Sequence, residues 1–500
     1  MTHSLLSFLH FINSDRYQYT ESDVLLMSKH HQAQAVFEYF YRRSEDGGYT
    51  VVSGTTDVAR LMHLFNNTDA QERYRYFSPI IHEKKLLDYL CNLQFKGNIY
   101  AMREGETAYE YEPIIVIEGD LIAAKILETP LLNTMNFQMT IASKANRIRR
   151  AAGREISLFA FGSRRAHGLD SAILGTKAAL IGGCNSHSSL AAEYVFDIPS
   201  IGTMSHSYIQ SFGIGHRGEF QAFDSFVKTK KGQSTALILL IDTYDTLNIG
   251  IKNAIACFQK NGINDTYPGI YGIRIDSGDL AYLSKYCRRA LDEAGLYKAH
   301  IILTNSLDEF LIEDLIQQGA CFNSVGIGDA VAVNRSNPCF GGVYKLAAIN
   351  QQPVMKISED LGKTTTPHLK EVYRIYHQGK AAADLICLAG EDRDKKRLMN
   401  QEEITITAEH NRLAQTTLPA GSYHIRPLLT PMMINGELTD EVSSDSYRIC
   451  EARDFLYHNM NMFSEEHLRL RNPHLYKVDL SDDLYQLKVN LLKEGRKTLK

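Results

Sequence analysis

The residues of this sequence that could do chemistry are concentrated in short polar clusters that directly follow apolar runs. Asp242 and Asp245 follow one such run, and Asp276 and Asp279 follow another. Carboxylates with intervening serine and glycine suit a hydrated Mg²⁺ that is shared with substrate phosphates. The same residue types are also common helix N-caps. The pattern therefore predicts either a magnesium site among these carboxylates, with Asp242 and Asp279 as candidate ligands, or an N-cap at Asp276, Ser277 or Asp279 that starts the following helix.

Cationic side chains stand in comparable positions. Arg164 and Arg165 follow an apolar run, and Arg274 lies within another. A guanidinium group binds phosphate or carboxylate through two parallel N–H bonds. An exposed arginine is usually only solvated, but an arginine directly after a buried run is a better candidate for binding an anion. Together with one well-placed histidine, His206, these residues indicate chemistry on a phosphorylated small molecule.

Two further clusters resemble a phosphate-binding cup. Residues 304–306 (TNS) and 326–328 (GIG) each end an apolar run. Backbone N–H groups approach a phosphate closely only where side chains are absent, and late barrel strands often build such a site. Asn305, Ser306, Gly326 and Gly328 are therefore candidate phosphate-binding residues. An ordinary glycine turn is the alternative interpretation.

The elements that must position these clusters alternate between short strands and helices, which predicts a parallel sheet. The predicted strands are 156–161, 198–203, 236–241, 270–275, 300–303 and 324–327. The predicted helices are 172–181, 250–260, 279–294 and 307–318. In a β/α barrel the carboxyl ends of all strands meet at one mouth, where catalytic groups collect. An open doubly wound sheet brings fewer strands to one point, so the barrel is favoured.

Composition excludes several classes of protein. The 500 residues carry 54 Lys and Arg against 58 Asp and Glu, a balance that does not suit a nucleic-acid binder relying on a basic field. No apolar run approaches the roughly 20 residues of a membrane helix, so no membrane partner is expected. Eight scattered cysteines without a C-x-x-C pair indicate neither a zinc framework nor a disulfide scaffold. They predict a cytoplasmic protein.

Two other segments receive ordinary interpretations. Residues 213–218 (GIGHRG) match G-x-G-x-x-G, but a polar stretch precedes them where a dinucleotide site needs a buried strand. No dinucleotide site is therefore predicted there. Residues 391–397 (EDRDKKR) form a charge run, for which the simplest prediction is a solvated loop.

The ordered set of motifs resembles the nicotinate phosphoribosyltransferase family. The matching segments, which run over nearly the whole chain, are 15–18 (DRYQ), 161–166 (FGSRRA), 198–207 (IPSIGTMSHS), 241–246 (IDTYDT), 273–279 (IRIDSGD), 307–309 (LDE), 343–346 (VYKL) and 472–476 (NPHLY). The resemblance implies an α/β fold of the type II phosphoribosyltransferase kind. In it, residues 151–347 form an irregular β/α barrel, and residues 1–150 form an α+β domain. Residues 348–500 complete that domain and cover the barrel.

The resemblance also implies the reaction and the assembly. Nicotinate and phosphoribosyl pyrophosphate would condense to nicotinate mononucleotide and pyrophosphate, with Mg²⁺ bound and ATP hydrolysed as co-substrate, in NAD salvage. ATP would phosphorylate His206, whose neutral imidazole is a competent nucleophile near pH 7. The enzyme would be a homodimer with active sites shared between subunits.

Individual roles carry over from the matching motifs. Phe161, with Tyr17 of the other subunit, would sandwich the pyridine ring, since stacking positions a flat ring. Arg274 and Asp276 would act with His206 at the reacting centre. The remaining residues implied to bind substrate are Arg164, Ser188, Gly202, Thr203, Asp242 and Asp279. Asn305, Ser306, Gly326 and Gly328 would hold the 5′-phosphate.

Ser188 bears on the choice of substrate. Nicotinamide-using relatives carry an aspartate at the matching position, and an acidic group there would repel nicotinate. Serine therefore favours the acid over nicotinamide. A transferase for nicotinamide or another pyridine, and a binding or regulatory paralogue without turnover, remain the alternatives.

The sequence departs from the family pattern at several positions. Ala160 replaces an acidic residue, His187 and Ser189 lie in a segment that usually reads Gly-Thr-Ser-Asn, and His368 replaces a glycine. Asp329 stands where threonine usually follows the glycine loop. A carboxylate beside a phosphate cup is repulsive unless Mg²⁺ or an arginine intervenes, so altered phosphate geometry, specificity or activity is a possible consequence.

Overall fold

The computed structural model describes residues 12–44, 48–233, 236–409, 411–443 and 449–497. They divide into two compact units: one takes the described residues of Met1–Ser143 and Asn337–Lys500, and the other is Lys144–Ser336. The predicted segments 1–150, 151–347 and 348–500 stay a prediction. Within the described residues, no helix is both long enough and apolar enough to cross a membrane.

The unit Lys144–Ser336 is built on a six-stranded parallel sheet with the strand order β7-β6-β11-β10-β9-β8. The strands are β6 (Ser157–Ala160), β7 (Ser186–His187), β8 (Leu237–Leu240), β9 (Tyr271–Ile275), β10 (His300–Leu303) and β11 (Ser324–Ile327). Consecutive strands are neighbours, and β11 pairs with β6, so the order follows a ring that is interrupted between β7 and β8. The prediction of a barrel-type α/β fold is confirmed, in the form of a parallel half-barrel.

The interruption falls where a strand was predicted, and that prediction is wrong. Residues 198–203 form no strand. Their backbone groups bond elsewhere: Ser200 N–H donates to Glu193 Oε2 over 2.9 Å, and Ile201 N–H donates to His187 O over 2.7 Å. Pro199 has no N–H to give to a ladder. These bonds satisfy the segment without a neighbouring strand.

Helices connect these strands, and polar side chains start several of them. They are Leu169–Ile181, Leu190–Phe196, His206–Gln210, Gly215–Lys230, Ile251–Lys260, Leu280–Glu293, Glu309–Gln317 and Asp329–Ala332, with a 3₁₀ turn at Ser163–Arg165 and a π turn at Thr246–Gly250. Asp279 accepts the Tyr282 N–H over 2.9 Å, and Asp245 accepts from Leu247 and Asn248 N–H. The N-cap alternative therefore holds for Asp279, and Asp245 caps the π turn in the same way.

The other unit combines both ends of the chain in one antiparallel sheet of order β13-β12-β1-β5-β3-β19-β20. Its strands are β1 (Gln34–Tyr41), β3 (Asn98–Met102), β5 (Ile115–Asp120), β12 (Gly342–Ile349), β13 (Gln352–Pro353), β19 (Leu429–Ile434) and β20 (Glu437–Leu438). Pairing of β1 with β12 and of β3 with β19 joins the N-terminal to the C-terminal segments. This confirms the predicted α+β domain built from both ends.

A second sheet of this unit has the order β18-β14-β15-β21, and two strand pairs complete it. The strands are β14 (Lys370–His377), β15 (Lys380–Leu388), β18 (Tyr423–Pro427), β21 (Val478–Leu480), β2 (Thr50–Val51) with β4 (Thr107–Ala108), and β16 (Ile404–Thr407) with β17 (Gln415–Leu418). The helices are Arg16–Met27, Thr55–Asn67, Ala70–Phe77, Lys84–Asn92, Leu121–Ile126, Glu128–Ala152, Arg393–Met399, Asp440–Ser443, Ile449–Met460 and Asp482–Lys497. Glu128–Ala152 continues past Ser143 into the other unit.

The charge run 391–397 is not a solvated loop, so that prediction is wrong. It starts the helix Arg393–Met399, which Asp392 caps by accepting the Asp394 and Lys395 N–H groups. Asp392 is buried and accepts from Ser481 Oγ over 2.5 Å, and Asp394 is buried and accepts from Asp482 N–H over 2.8 Å. Two carboxylates with partners distant in the sequence thus turn a charged stretch into a packed helix.

Candidate active site

A cavity of about 960 Å³ opens at the carboxyl ends of the parallel strands in the unit Lys144–Ser336. Its walls are Phe161, Ser163, Arg164, Arg165, Ser188, Ile201, Gly202, Thr203, Met204, Ser205, His206, Ser207, Arg274, Asp276, Thr304, Asn305, Ser306, Gly326, Gly328 and Asp329. Most of the residues predicted to act on substrate are therefore brought together. Three arginines and one histidine face two aspartates among these wall residues, a balance that suits a polyanionic ligand.

His206 stands at the start of a short helix beside a threonine and a carboxylate. Ser205 caps the helix by accepting the Tyr208 N–H. The His206 Nδ1 lies 3.1 Å from Thr243 Oγ1, and its Nε2 lies 3.7 Å from Asp276 Oδ2. The imidazole is 41 % exposed. The ring is thus oriented on two sides and still reaches the cavity.

Arg274 projects from β9 into the cavity with only part of its guanidinium engaged. Nη1 donates to Thr203 Oγ1 over 2.8 Å, while Nη2 is 3.8 Å from Asp276 Oδ2. Within the described part of the chain, Nε is buried and has no hydrogen-bond partner. Burial lowers the pKa of this guanidinium from its ordinary value, and Asp276 and Asp242 oppose the shift. A buried donor of this kind is available to an anionic ligand.

Asp276 and Asp242 form a connected pair. Asp276 Oδ1 accepts from the buried Thr304 Oγ1 over 2.5 Å, and the Asp276 N–H donates to Asp242 Oδ2 over 3.0 Å. Ser277 Oγ also donates to Asp242 Oδ2, over 2.5 Å. Among the residues described, Asp242 Oδ1 is buried without a partner. Neither Asp242 nor Asp279 is among the wall residues, and Asp279 caps its helix instead.

The carboxylates present are compatible with Mg²⁺ but do not form a dedicated cage. No group of three or more His, Cys, Asp or Glu side chains could hold a metal ion in the ranges that the structure describes. Mg²⁺ needs only one or two protein carboxylates when substrate phosphates complete its shell. Asp276 in the wall and the unbonded Asp242 Oδ1 fit that requirement. Asp279 as a magnesium ligand stays a prediction.

Phe161 owes its place to the glycine opposite it. Its ring stacks on Phe159 with centroids 5.8 Å apart and lines the cavity. A Cβ on the buried Gly326 would lie 2.5 Å from the Phe161 ring and 2.6 Å from Thr304 Cγ2. Gly326, predicted to bind phosphate, therefore also makes room for the aromatic wall.

The other candidate phosphate residues lie in unusual backbone. Asn305 has φ 96° and Ser306 has φ 49°, both in the left-handed region that favours glycine. Such strain in non-glycine residues persists where the surroundings enforce it, and it is concentrated at ligand sites. Gly328 faces open space, since a Cβ there would meet nothing within 4 Å.

Tyr17 is not among the residues of the cavity wall, whereas Asp329 is. Tyr17 lies in the other unit, 46 % exposed, with its hydroxyl 3.4 Å from Glu128 Oε2. Asp329 lines the cavity, and Arg335 Nη1 lies 3.5 Å from its Oδ2. The guanidinium of Arg335 thus offsets part of the negative charge of Asp329, the aspartate that departs from the family pattern.

The hydroxyl groups that hold the charged residues were not among the predicted site residues. Thr243 contacts His206 and Thr304 contacts Asp276, although neither was singled out. Thr304 directly follows a predicted strand and Thr243 follows one after Asp242, so both lie inside the polar clusters already recognised. That position was the available signal. The partner of each hydroxyl depends on distances across the sheet, which the sequence does not contain.

The half-barrel and its cationic cavity define a class of protein, the type II phosphoribosyltransferases. The crystal structure of nicotinate-nucleotide pyrophosphorylase from Pyrococcus furiosus matches at TM-score 0.63 and 21 % identity, covering 91 % of this chain and 95 % of that one. At this identity the likeness shows the fold alone. The crystal structure of human Nicotinic Acid Phosphoribosyltransferase matches at TM-score 0.80 and 26 % identity, covering 96 % of this chain and 100 % of that one.

Sequence comparison gives the particular family. The chain is 35 % identical to Nicotinate phosphoribosyltransferase of Bacillus subtilis over 491 residues, covering 97 % of this chain and 95 % of that protein. Residues 12–136 match the Nicotinate phosphoribosyltransferase N-terminal domain, and residues 369–488 match the C-terminal domain. The chain belongs to the nicotinate phosphoribosyltransferase family.

Proposed function

We propose that this enzyme condenses nicotinate with phosphoribosyl pyrophosphate to give nicotinate mononucleotide and pyrophosphate, a step of NAD salvage. Family membership carries the proposal, and the cavity supports it. Arg164, Arg165 and Arg274 supply the positive charge that a pyrophosphate and a 5′-phosphate need. The strained turn at Asn305 and Ser306 lies in the same wall.

Positioning and charge dominate the chemistry. Phe161 stacks against the pyridine ring and holds its nitrogen in line with the ribose carbon. Gly202 and Thr203 bound the same part of the wall, and Thr203 orients Arg274. Asp276, held by Thr304 and Asp242, places negative charge where the ribose becomes oxocarbenium-like as pyrophosphate leaves.

Nicotinate is favoured over nicotinamide by the charge of the wall. Ser188 lines the cavity and is neutral, and the wall's acids are Asp276 and Asp329. A pyridine carboxylate therefore meets a serine hydroxyl at this position and no opposing carboxylate from it. A pyridine amide would gain no charged acceptor there.

ATP and Mg²⁺ complete the proposal. Asp276 and Asp242 are the carboxylates that would hold Mg²⁺, which would supply positive charge to a bound pyrophosphate. His206 accepts the γ-phosphoryl group of ATP, because Thr243 and Asp276 orient its ring and its edge is open to the cavity. The proposed location is the cytosol. All eight cysteines lie in the described ranges and none of them forms a disulfide there, which suits a reducing compartment.

A turnover assay tests the reaction. The full-length protein is incubated with phosphoribosyl pyrophosphate, Mg²⁺ and either nicotinate or nicotinamide, with and without ATP, and the mononucleotide is quantified. Nicotinate mononucleotide whose formation ATP accelerates is the expected result. Formation of a mononucleotide from nicotinamide but not from nicotinate would show that nicotinamide is the substrate. No product from either base would leave a binding protein of the same fold.

A substitution at His206 tests the coupling to ATP. His206→Ala removes the acceptor, so we expect transfer of ³²P from γ-labelled ATP to the protein to vanish together with the stimulation by ATP. The matched control is His216→Ala, which removes an exposed histidine outside the cavity wall. Undiminished labelling of the His206 variant would remove this residue from the proposed role.

We further propose a homodimer with shared active sites, in which Tyr17 of one subunit completes the cavity of the other. A large aromatic side chain that is 46 % exposed supports this role. Tyr17→Ala and Arg274→Ala proteins, each inactive, are mixed and allowed to exchange subunits. Recovery of activity is expected, because hybrid dimers contain one intact site. A mixture as inactive as its components would argue against shared sites.

A further inference from the structure

His187 is a buried histidine between two segments that line the cavity. It ends β7, its side chain is 0 % exposed, and neither proposed catalysis nor phosphate binding uses it. The following residue, Ser188, is a wall residue, and so are Ile201, Gly202 and Thr203 further along. His187 therefore lies where both parts of the wall could be aligned.

The imidazole bonds to both segments at once. The Ser189 N–H donates to His187 Nδ1 over 3.2 Å, and His187 Nε2 lies 3.0 Å from Ile198 O. The backbone adds two contacts, since Ile201 N–H donates to His187 O over 2.7 Å and Ser188 N–H donates to Ala160 O over 3.2 Å. The Ser188 turn, the sheet and the 198–203 segment meet at this residue.

The partners determine the protonation state of the ring. A backbone N–H only donates, so Nδ1 must be an acceptor, and a carbonyl only accepts, so Nε2 must carry the hydrogen. The neutral Nε2–H tautomer alone satisfies both bonds. A protonated ring would oppose the Ser189 N–H with a second donor. Burial lowers the pKa of His187, and the bond to Ile198 O and the nearby Glu193 carboxylate only partly oppose the shift.

We propose that His187 is a positioning residue for the pyridine-carboxylate end of the cavity. Its neutral ring ties the turn that carries Ser188 to the segment that carries Gly202 and Thr203, and so holds the two parts of the wall at the spacing that nicotinate needs. This inference rests on the proposed function. Other bonds also hold the 198–203 segment, among them Ser186 Oγ to Pro199 O over 3.1 Å. The His187 ring is the side chain that spans both parts.

Two half-replacements test the proposal. In His187→Asn the amide oxygen takes the place of Nδ1 and keeps the Ser189 bond, whereas in His187→Gln the amide nitrogen takes the place of Nε2 and keeps the Ile198 bond. Each loses one of the two bonds. Loss of one net hydrogen bond gives roughly a 2- to 10-fold weaker interaction. We expect the KM for nicotinate to rise about 2- to 10-fold in each variant, with kcat and the KM for phosphoribosyl pyrophosphate nearly unchanged.

The control is Ser186→Ala, which removes a bond to the same segment but leaves the imidazole bridge. Its KM for nicotinate should rise less than in either His187 variant. Both His187 variants with wild-type KM, or with a fall confined to kcat, would overturn the proposal. Failure of the wild-type protein to use nicotinate would instead overturn the proposed function.

A second measurement uses the unaltered protein and does not depend on folding of the variants. Spectra of ¹⁵N-labelled protein should contain a histidine ring that is bonded through Nδ1 to the Ser189 amide and stays in the neutral Nε2–H form at a pH where exposed histidines are protonated. That signal should shift when nicotinate and phosphoribosyl pyrophosphate are added. A signal that ignores both ligands, or an Nδ1–H tautomer, would contradict the proposed bridge.

Discussion

Two arginine–carboxylate groups, one in each unit, differ in how completely they are bonded. Arg374 and its partners Glu106 and Asp384 are fully buried, and every guanidinium nitrogen donates to a protein oxygen over 2.6–2.9 Å. In the cavity, Arg274 makes one bond to Thr203, stands 3.8 Å from Asp276, and keeps a buried Nε without a partner in the described residues. The saturated group can only hold structure. The unsaturated one keeps its bonding capacity for a ligand.

Two buried glutamates show the same difference. Glu106 loses solvation, but Arg374 and Arg426 outweigh that cost and hold its pKa below the ordinary value. In the unit that carries the cavity, burial raises the pKa of Glu219 to about 7, because the hydrogen bond from Asn253 only partly opposes the shift and the charge of Asp242 adds to it. A carboxylate that is matched by cations stabilises the fold, whereas one without them costs free energy when it ionises.

The largest expected effect is loss of the saturated group. Arg374→Ala leaves the buried Asp384 without its cation and the buried Glu106 with Arg426 alone, which costs about 3–5 kcal/mol of unfolding free energy. Chemical denaturation of the full-length protein measures it. The matched control is Arg426→Ala, whose side chain is 31 % exposed and donates to Glu106 Oε2 and to the Tyr376 hydroxyl. If the two variants were equally stable, the distinction between saturated and partly solvated arginines would fail.

The next effect concerns the unsaturated group and should appear in rate rather than stability. Arg274→Ala removes a charge that the substrate needs, so kcat/KM should fall about 10²–10³-fold, the usual cost of one preorganised donor. The unfolding free energy should change by less than about 1 kcal/mol, because few native bonds are lost. Arg217→Ala, an exposed arginine outside the cavity wall, is the control. A large loss of stability in Arg274→Ala would mean that Arg274, like Arg374, mainly stabilises the fold.

The predicted elements are right where the local residue pattern determines the structure, and wrong where partners distant in the sequence determine it. The runs 300–303 and 324–327 form strands with those bounds, because apolar β-branched runs are buried on both faces of a parallel sheet. The run 198–203 has a similar pattern, but the His187 ring and Glu193 take up its backbone groups. The charge run after 391 became a helix because Ser481 and Asp482 bond its carboxylates.

The candidate site follows the same rule. Charged residues within or after apolar runs were recognisable, so Arg274, Asp276 and His206 were predicted, and all three line the cavity. Thr243 and Thr304 were missed because a threonine in a strand-end cluster has many uses, and only the distance to its partner selects one. The sequence likewise could not predict which of these residues have a buried donor or acceptor atom without a hydrogen-bond partner, since that depends on the burial of single atoms.

A third prediction uses pH to separate the two glutamates. The folded pKa of Glu219, about 7, lies above the ordinary value near 4.3. Its favourable contribution is therefore fully present below about pH 4.3 and is lost as pH rises through about 7. Glu219→Gln is neutral at every pH, so its unfolding free energy relative to wild type should increase by roughly 2–3 kcal/mol between pH 4.5 and pH 8.

Glu106→Gln should behave in the opposite way. Its carboxylate pKa is depressed, so ionised Glu106 stabilises the fold above the ordinary value, and that contribution is lost as pH falls through the folded pKa. The variant should be less stable than wild type at neutral pH, with the difference shrinking in acid. Denaturation curves at several pH values measure both variants. Parallel pH profiles for the two would remove the contrast.

The smallest effect tests whether an ion pair at the cavity rim behaves like the buried one. Asp329 and Arg335 lie 3.5 Å apart with side chains 33 % and 66 % exposed, and such pairs contribute about 0.2–1 kcal/mol. Asp329→Thr removes negative charge beside the phosphate cup, so the KM for phosphoribosyl pyrophosphate should fall about 2- to 5-fold. Arg335→Ala leaves the charge of Asp329 uncompensated and should raise this KM.

In the double variant the two changes in KM should not add, since Arg335 acts partly by screening Asp329. Strict additivity would mean that each residue meets the substrate alone. Loss of the whole difference at high salt is expected, because exposed charges are screened while the buried Arg374 group is not.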